Sequence, residues 1–200
     1  MAKATVDDII HLILAGDLES YFARHTHGYA EENNEPVIMG NVLSSKELNR
    51  LADSVKEQKG QAEEVRQLMH KFQRQDQERY GYHWTDEDIG KVTETSGGQI
   101  SQLKSGKTIG SKQTLIKVAI FFELTHEETE RLFAASGKAF NLNDLFECCI
   151  RACLIEKKYE IEEINEVIKH VLSEDETLVM KEKFNYLGKK RGVKLRRKIR

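Results

Sequence analysis

The amino-acid sequence predicts an all-α protein, and three observations support that class. The chain of 200 residues contains one proline, Pro36, and proline is the residue that helix interiors tolerate least. Leu, Ile, Glu and Lys, which favour helices, are abundant. Apolar residues return every three or four positions in several segments, which is the spacing that buries one face of a helix. We therefore expect one or two small helical domains.

A first helix is predicted to follow Thr5. Thr5 and Asp8 have the spacing of a capping box, and the apolar residues that follow indicate a helix of about fifteen residues. Those residues are Val6, Ile9, Ile10, Ile13 and Leu14. The polar stretch 28–41 contains Pro36 and has no sustained period, so it is predicted to be a loop with a short extended piece at 37–39.

The segment 44–72 allows two interpretations. Ser44 and Glu47 have capping-box spacing, and apolar residues then follow a near-heptad pattern: Leu48, Leu51, Val55, Ala62, Val65, Met69 and Phe72. We favour two amphipathic helices separated at Gly60, because Gln58 and Asp76 interrupt the apolar seam. The alternative is one long helix that serves for dimerisation.

Residues 84–107 have the pattern of two short helices joined by a tight turn. Thr85 is the expected cap of the first helix, whose first turn is acidic at 86–88 and whose buried face holds Ile89, Gly90 and Val92. The first helix is therefore expected to pack through a face that includes a glycine.

The second helix of this pair is predicted to begin after Ser96, which forms a capping box with Gln99. Ile100 and Leu103 are its expected core residues, and Gly106 ends it. The side chains left to face outward are Gln99, Ser101, Gln102 and Lys104.

This stretch resembles the Xre family of lambda-repressor-like helix-turn-helix domains. Seven positions carry the resemblance without a gap: Trp84, Ile89, Gly90, Ile100, Leu103, Gly106 and Lys107. The resemblance implies a five-helix domain over 63–137, with helices at 67–80, in the pair just described, at 111–122 and at 125–137. The fourth helix would bury Leu115, Val118, Ala119 and Phe122, and Thr125 with Glu128 would cap the fifth.

The resemblance also implies that the helix 97–104 enters the major groove of double-stranded DNA. The residues then expected to contact DNA are Thr85, Ser96, Gly97, Gly98, Gln99, Ser101, Gln102, Lys104, Lys107 and Lys112. Gln102 is suited to bidentate pairing with adenine. Asp86 stands where the family often has a glutamine that touches phosphate, and its carboxylate repels DNA unless a water, an ion or a lysine intervenes.

Gly97 and Gly98 depart from the family pattern, because they offer no side chain to a base. Two explanations remain open. The domain keeps the fold for packing or partner binding and no longer reads DNA, or the small residues let the helix sit closer to the groove floor and leave specificity to DNA shape.

Charge is unevenly distributed in a chain whose formal net charge is -2. No acidic residue occurs over 95–122, where Lys104, Lys107, Lys112 and Lys117 are present, and this favours contact with phosphates. The last twelve residues hold eight basic ones: Lys189, Lys190, Arg191, Lys194, Arg196, Arg197, Lys198 and Arg200. We expect 189–200 to be a disordered basic arm that adds phosphate contacts, the alternative being a solvated terminus without a specific role.

Two apolar stripes in 138–188 predict a helical hairpin that packs on the central domain or on another subunit. The first runs from Leu142 to Leu154, with Asn141 or Asn143 as its cap, and the second runs over 159–171. This region is similar to a tail appended to some Gram-positive bacterial and phage regulators. The cysteines on the first stripe are expected to be buried thiols, because their spacing suits neither zinc nor a disulfide framework: Cys148, Cys149 and Cys153.

We expect a cytoplasmic transcriptional regulator, a repressor of bacterial or phage origin, that binds DNA as a homodimer through 48–72 or the helices after Leu142. The N-terminal helical region 1–62 would serve dimerisation or bind a protein partner. The alternatives are a protein-interaction adaptor or antitoxin-like protein, and a nonspecific nucleic-acid binder that depends on its basic tail.

Enzymatic and membrane functions are not expected. The sequence has no P-loop, nucleophile elbow or Gly-rich dinucleotide turn, so we expect no catalytic residues and no cofactor. His25 and His27 with Glu31 and Glu32 are expected to be solvated rather than to bind a metal. The start of the chain lacks signal-peptide features, and no apolar run approaches the length of a membrane span.

Overall fold

The computed structural model describes residues 5–14, 45–172 and 176–191, and every regular element in these ranges is a helix. The all-α class is therefore confirmed for the described chain. Its helices are α1 (Val6–Leu14), α2 (Ser45–Tyr80), α3 (Asp86–Thr93), α4 (Gly97–Lys104), α5 (Lys112–Phe121), α6 (His126–Ala135), α7 (Leu145–Ile155), α8 (Ile161–Val171) and α9 (Lys183–Arg191). The predicted loop at 28–41, the predicted cap at Ser44 and the cluster around His25 and His27 lie outside the described residues.

Helix α1 begins where the sequence predicted. The Thr5 hydroxyl accepts a hydrogen bond from the Asp8 amide at 3.2 Å, and the Asp8 carboxylate accepts one from the Thr5 amide at 2.7 Å. Ile9, Ile10 and Ile13 are buried, and the helix packs against α7 and α8. Its described length is 9 residues rather than about fifteen, and the residues directly after Leu14 lie outside the described ranges.

One continuous helix, α2, stands where we expected two helices separated at Gly60, so that prediction was wrong. The helix has 36 residues. A single glycine costs only about 1 kcal/mol relative to alanine, and a helix that already exists extends without a new nucleation step. The side chains of 52–60 are exposed, and burial begins at Ala62, so the expected domain boundary at 62/63 falls inside the helix.

The buried half of α2 shares a core with α3, α4, α5 and α6. Helix α5 is central, because each residue from Thr114 to Phe121 is buried. The predicted core face of this helix is confirmed, and Trp84 packs edge-on against Phe121 with ring centroids 5.1 Å apart. The capping box of Thr125 and Glu128 at the start of α6 is also confirmed.

Helices α7 and α8 form the expected pair and pack on α6 and α1. The cap of α7 is Asp144, whose carboxylate accepts a hydrogen bond from the Glu147 amide, and not Asn141 or Asn143. The helix begins later than predicted because Leu142 is 45% exposed and Asn141 is engaged in a turn, accepting a hydrogen bond from the Asn143 amide. The three thiols on α7 are buried as predicted, and burial raises the pKa of Cys149 to about 12.

Helix α9 was not expected. Lys189, Lys190 and Arg191, which we assigned to a disordered tail, are its last residues. Leu187 is 3% exposed, and its burial holds the helix against the core, while basic residues at a helix C-terminus interact favourably with the helix dipole. In the part of the chain that is described, no helix is long and apolar enough to cross a membrane.

Candidate nucleic-acid interface

Helices α3 and α4 cross at two glycines whose backbones touch. A Cβ on Gly90 would lie 2.6 Å from the Gly97 amide nitrogen, and a Cβ on Gly97 would lie 3.0 Å from the Glu87 Cα. No side chain fits between these backbones without displacing one helix. Close packing against α3 therefore favours a small residue at position 97.

Gly98 has a different environment. The nearest atom to a Cβ added there is the Ser96 hydroxyl oxygen at 3.8 Å, so the position has room for a side chain. Packing thus accounts for a small residue at position 97 but gives no reason for the glycine at position 98.

The turn between α3 and α4 contains a residue in a left-handed conformation. Glu94 has φ 51°, and its amide donates to the Gly90 carbonyl to end α3. A non-glycine residue in this conformation costs roughly 1–2 kcal/mol. The buried Thr93 hydroxyl donates to the Ile89 carbonyl at 2.8 Å and lies 2.6 Å from the Thr95 hydroxyl, and these contacts fix the turn.

The predicted caps of both helices are present. The Thr85 hydroxyl accepts a hydrogen bond from the Asp88 amide and donates to the Asp88 carboxylate. The Ser96 hydroxyl accepts from the Gln99 amide at 3.1 Å, and the Gln99 side-chain oxygen accepts from the Ser96 amide at 3.3 Å. Part of the hydrogen-bonding capacity of Gln99 is therefore used within the helix, whereas Gln102 has no such role.

The outer face of α4 consists of exposed, uncharged side chains that can both donate and accept hydrogen bonds. Ile100 and Leu103 are fully buried, as predicted. The exposed side chains are Gln99, Ser101, Gln102 and, at the C-cap, Ser105. We call these four residues the outer face of α4.

Lys104, one of the residues expected to contact DNA, is paired with Asp86. Its ammonium lies 2.5 Å from the Asp86 carboxylate, and the lysine side chain is only 16% exposed. A lysine thus neutralises the charge of Asp86. The cost is that Lys104 is less available to a phosphate.

Two further lysines of the stretch 95–122 are also engaged. Lys112 bonds to Glu147 of α7 at 2.9 and 3.1 Å, and Lys117 is buried, which lowers its pKa. Among the four lysines of this stretch, Lys107 alone is exposed and forms no ion pair with the described residues. Carboxylates from other parts of the chain thus pair with two of the four lysines, and a third is buried, so the stretch 95–122 presents fewer free cations than its sequence suggests.

Residues 181–190, which include most of α9, contact α3 at both of its ends. The Lys181 amide donates to the Val92 carbonyl near the C-terminal end of α3, and Lys190 bonds both Asp88 oxygens at 2.6 Å near its N-terminal end. The Tyr186 hydroxyl donates to Asp88 at 2.9 Å. Burial acts to raise the pKa of Asp88, but the hydrogen bonds from Lys190, Thr85 and Tyr186 outweigh it and hold that pKa below its usual range.

A buried ion pair fastens α9 to the core. The Lys183 ammonium bonds to the Asp76 carboxylate and to the Phe121 carbonyl, and it lies 4.8 Å from the centroids of the Tyr80 and Phe121 rings. Burial lowers the pKa of Lys183 and raises the pKa of Asp76, against the opposing effect of their mutual attraction. No pattern in the sequence indicates that these two residues pair. The apolar spacing of Phe184 and Leu187 is the signal that could have predicted a further helix.

The basic tail divides at the end of α9. Lys189 is exposed and Lys190 is bound to Asp88, whereas the remaining predicted residues, Lys194, Arg196, Arg197, Lys198 and Arg200, lie outside the described ranges. Among the described residues there is no group of His, Cys, Asp and Glu that could hold a metal ion.

Comparison with protein-family models gives no match for this chain, and comparisons with curated proteins and with solved structures give none either. What the protein does is therefore inferred from the geometry and chemistry of its own residues.

Proposed function

We propose that this protein is a sequence-specific DNA-binding regulator, a repressor, whose α4 is the recognition helix of an Xre-like helix-turn-helix domain. The domain consists of the buried half of α2 and helices α3 to α6. The observation that carries the proposal is the outer face of α4, where uncharged hydrogen-bonding side chains are exposed on a helix that is capped and closely packed on α3.

Glutamine and serine side chains both donate and accept hydrogen bonds, so they match the mixed donors and acceptors that base pairs present in the major groove. Gln102 is the principal base-reading residue, because Gln99 is partly engaged in the cap of the helix. A bidentate contact from Gln102 to adenine is worth about 1–3 kcal/mol of discrimination against other bases.

Affinity for the phosphate backbone comes from Lys107 and from the basic residues after α9. Lys104 and Lys112 contribute less than the sequence suggested, since carboxylates of the same chain hold them. DNA binding that depends on few cations is weak for a single domain. This favours a homodimer, in which two recognition helices lie about one helical turn of DNA, roughly 34 Å, apart.

The exposed half of α2 is the surface that we assign to the homodimer contact. Val55 is 44% exposed on a stretch whose side chains from 52 to 60 are all exposed. The exposed half of α2 would by itself be only marginally stable in water, so packing against a partner helix would stabilise it.

One observation favours a second candidate, a protein-interaction adaptor. Lys104, Lys112 and Lys190 are paired with carboxylates, so the described surface around α4 carries little free positive charge apart from Lys107. A partner protein, unlike DNA, would not require that charge.

Selection of bound fragments from random DNA at physiological salt distinguishes the two candidates. The wild-type protein is expected to enrich a palindromic sequence, and Gln102→Ala is expected to relax the preference at one position of each half-site. Gln77→Ala, an exposed glutamine near the C-terminal end of α2 and outside the surface assigned to the homodimer, is the matched control and should leave the preference unchanged. If the wild-type protein enriches no sequence, the regulator proposal is wrong and the adaptor becomes the better account.

A further inference from the structure

Gly98 is an exposed glycine in the first turn of α4 that the packing of the described residues does not require. Its φ is not positive, so its backbone conformation suits any residue. Beyond the backbone of its own helix, the nearest atom to an added Cβ is the Ser96 hydroxyl oxygen, at an ordinary van der Waals distance of 3.8 Å. Alanine favours helices more than glycine does, so a methyl group at position 98 would fit and would stabilise the helix.

A line of short residues runs along α4 from Gly98. Residues 98, 101, 102 and 105 stand at positions i, i+3, i+4 and i+7, so they share one face of the helix, and all four are exposed. The Ser105 hydroxyl is turned back onto the helix, where it donates to the Gln102 carbonyl at 3.1 Å. Ser101 is equally short. Gln102 is therefore the one long side chain among these four residues.

The size of the side chains on this face limits how deeply α4 enters a major groove. The groove is about 12 Å wide and about 8.5 Å deep, and a helix with its side chains is about 10–12 Å across. With no side chain at 98 and short ones at 101 and 105, the backbone of α4 approaches the base edges closely. A methyl group at 98 would extend the helix surface by about 1.5 Å at its N-terminal end.

A contact from Gln102 to a base depends on that depth. Both hydrogen bonds of a bidentate pair need donor and acceptor atoms about 2.7–3.2 Å apart, so moving the helix outward by about 1.5 Å breaks at least one of them. The missing side chain at 98 and the long side chain at 102 thus act on the same base contact.

We propose that Gly98 determines specificity by letting the backbone of α4 lie against a base edge in the major groove, at the depth where Gln102 meets its adenine. This inference rests on the proposed function. It adds that the glycine lowers the stability of the free protein and raises its affinity for the selected site.

The test is Gly98→Ala, which is measured for both stability and binding. Thermal unfolding is expected to show a melting temperature that is higher by up to about 4 °C, because alanine favours the helix. Fluorescence anisotropy is expected to show about tenfold to hundredfold weaker binding to a duplex with the selected site, since a bidentate base contact is lost. Binding to an unrelated duplex should change less than about twofold, because phosphate contacts do not depend on base edges.

The matched control is Ala134→Ser, which also adds one heavy atom at an exposed helical position, on α6. It is expected to bind both duplexes like the wild type. Gln102→Ala is then compared in the wild-type and Gly98→Ala backgrounds. It should weaken binding to the selected site about tenfold or more in the first and less than about threefold in the second, because Gln102 no longer reaches its base there.

Each contrary result has one meaning. If Gly98→Ala binds the selected site as tightly as the wild type, or weakens both duplexes equally, the inference is overturned and the proposed function stands. A lower melting temperature would show that the fold itself needs the glycine, which also overturns the inference. Equal effects of Gln102→Ala in the two backgrounds would show that Gly98 does not set the depth of α4. If the wild-type protein enriches no sequence, the proposed function fails together with the inference.

Discussion

Replacing Lys183 by methionine tests whether the buried ion pair holds α9 on the core. The side chain of Asp76 is 0% exposed and that of Lys183 is 8% exposed, so Lys183→Met leaves a carboxylate in the core without its cation. Removing one partner of a buried pair costs about 3–5 kcal/mol, because the remaining charge has lost its solvent and its counterion. We expect a loss of that size in the free energy of unfolding at pH 7.

The loss depends on pH in a defined direction. The folded-state pKa of Asp76 is already raised by burial, and removing Lys183 removes the main effect that lowers it. A carboxyl group whose pKa is higher in the folded state than in the unfolded state stabilises the fold at low pH, and that stability is lost as the pH rises through the folded-state pKa. Lowering the pH towards about 4, the ordinary pKa of Asp, should therefore shrink the loss by up to about 1.4 kcal/mol per pH unit.

The assay is urea unfolding followed by the fluorescence of Trp84, the single tryptophan, whose ring centroid lies 5.7 Å from the Lys183 ammonium. The matched control is the double variant Asp76→Asn, Lys183→Met, which has no unpaired charge and should recover more than half of the loss at pH 7. A single variant as stable as the wild type, or a loss equal at pH 5 and pH 7, would refute the assignment of Asp76 and Lys183 as a coupled buried pair.

Three smaller predictions concern the backbone and the thiols. Gly90→Ala should destabilise the protein by about 1–3 kcal/mol, because its Cβ overlaps the backbone of Gly97. Gly60→Ala, with open space around it, should stabilise the protein by up to about 1 kcal/mol. Both changes are measured by urea unfolding, and equal effects would contradict the crossing of α3 and α4 at Gly90. Glu94→Gly should raise the free energy of unfolding by up to about 1 kcal/mol, because relief of the left-handed backbone strain exceeds the loss of an exposed ion pair with Lys181. A lower melting temperature for this variant would contradict the prediction. Cys149 should not react with a thiol reagent at pH 8 until urea unfolds the protein, because burial raises the pKa of its thiol to about 12. Rapid modification of the folded protein would show that this face of α7 is exposed.

Much of the local structure was predictable because its causes are close in sequence. The caps at Thr5, Thr85, Ser96 and Thr125 each involve a partner three residues away, and all four are present. The buried faces of the central helices follow the 3.6-residue period for the same reason. Gly60 does not break α2, because the helix that is packed from Ala62 onward extends through the glycine without a new nucleation step.

The charges of the candidate site were not predictable from the sequence. Lys104 pairs with Asp86 across 18 residues, and Lys112 pairs with Glu147 across 35. Lys183 finds Asp76 across 107 residues. The absence of acidic residues over 95–122 favoured contact with phosphates, but carboxylates brought in by folding pair with two of the four lysines in that stretch. Asp76 interrupts the apolar seam of α2 in the sequence. In the folded protein it is the buried partner of Lys183 on α9.

The most direct test of the central claim is a double-mutant cycle between Gln102 and an adenine of the selected site. The affinities of the wild-type protein and of Gln102→Ala are each measured for the natural duplex and for a duplex with 7-deazaadenine at that position, which lacks the N7 acceptor. If Gln102 reads the base, the two changes should be non-additive, with a coupling energy of about 1–3 kcal/mol. Additive effects at every adenine of the site would show that Gln102 contacts none of them and would contradict the assignment of α4 as the recognition helix.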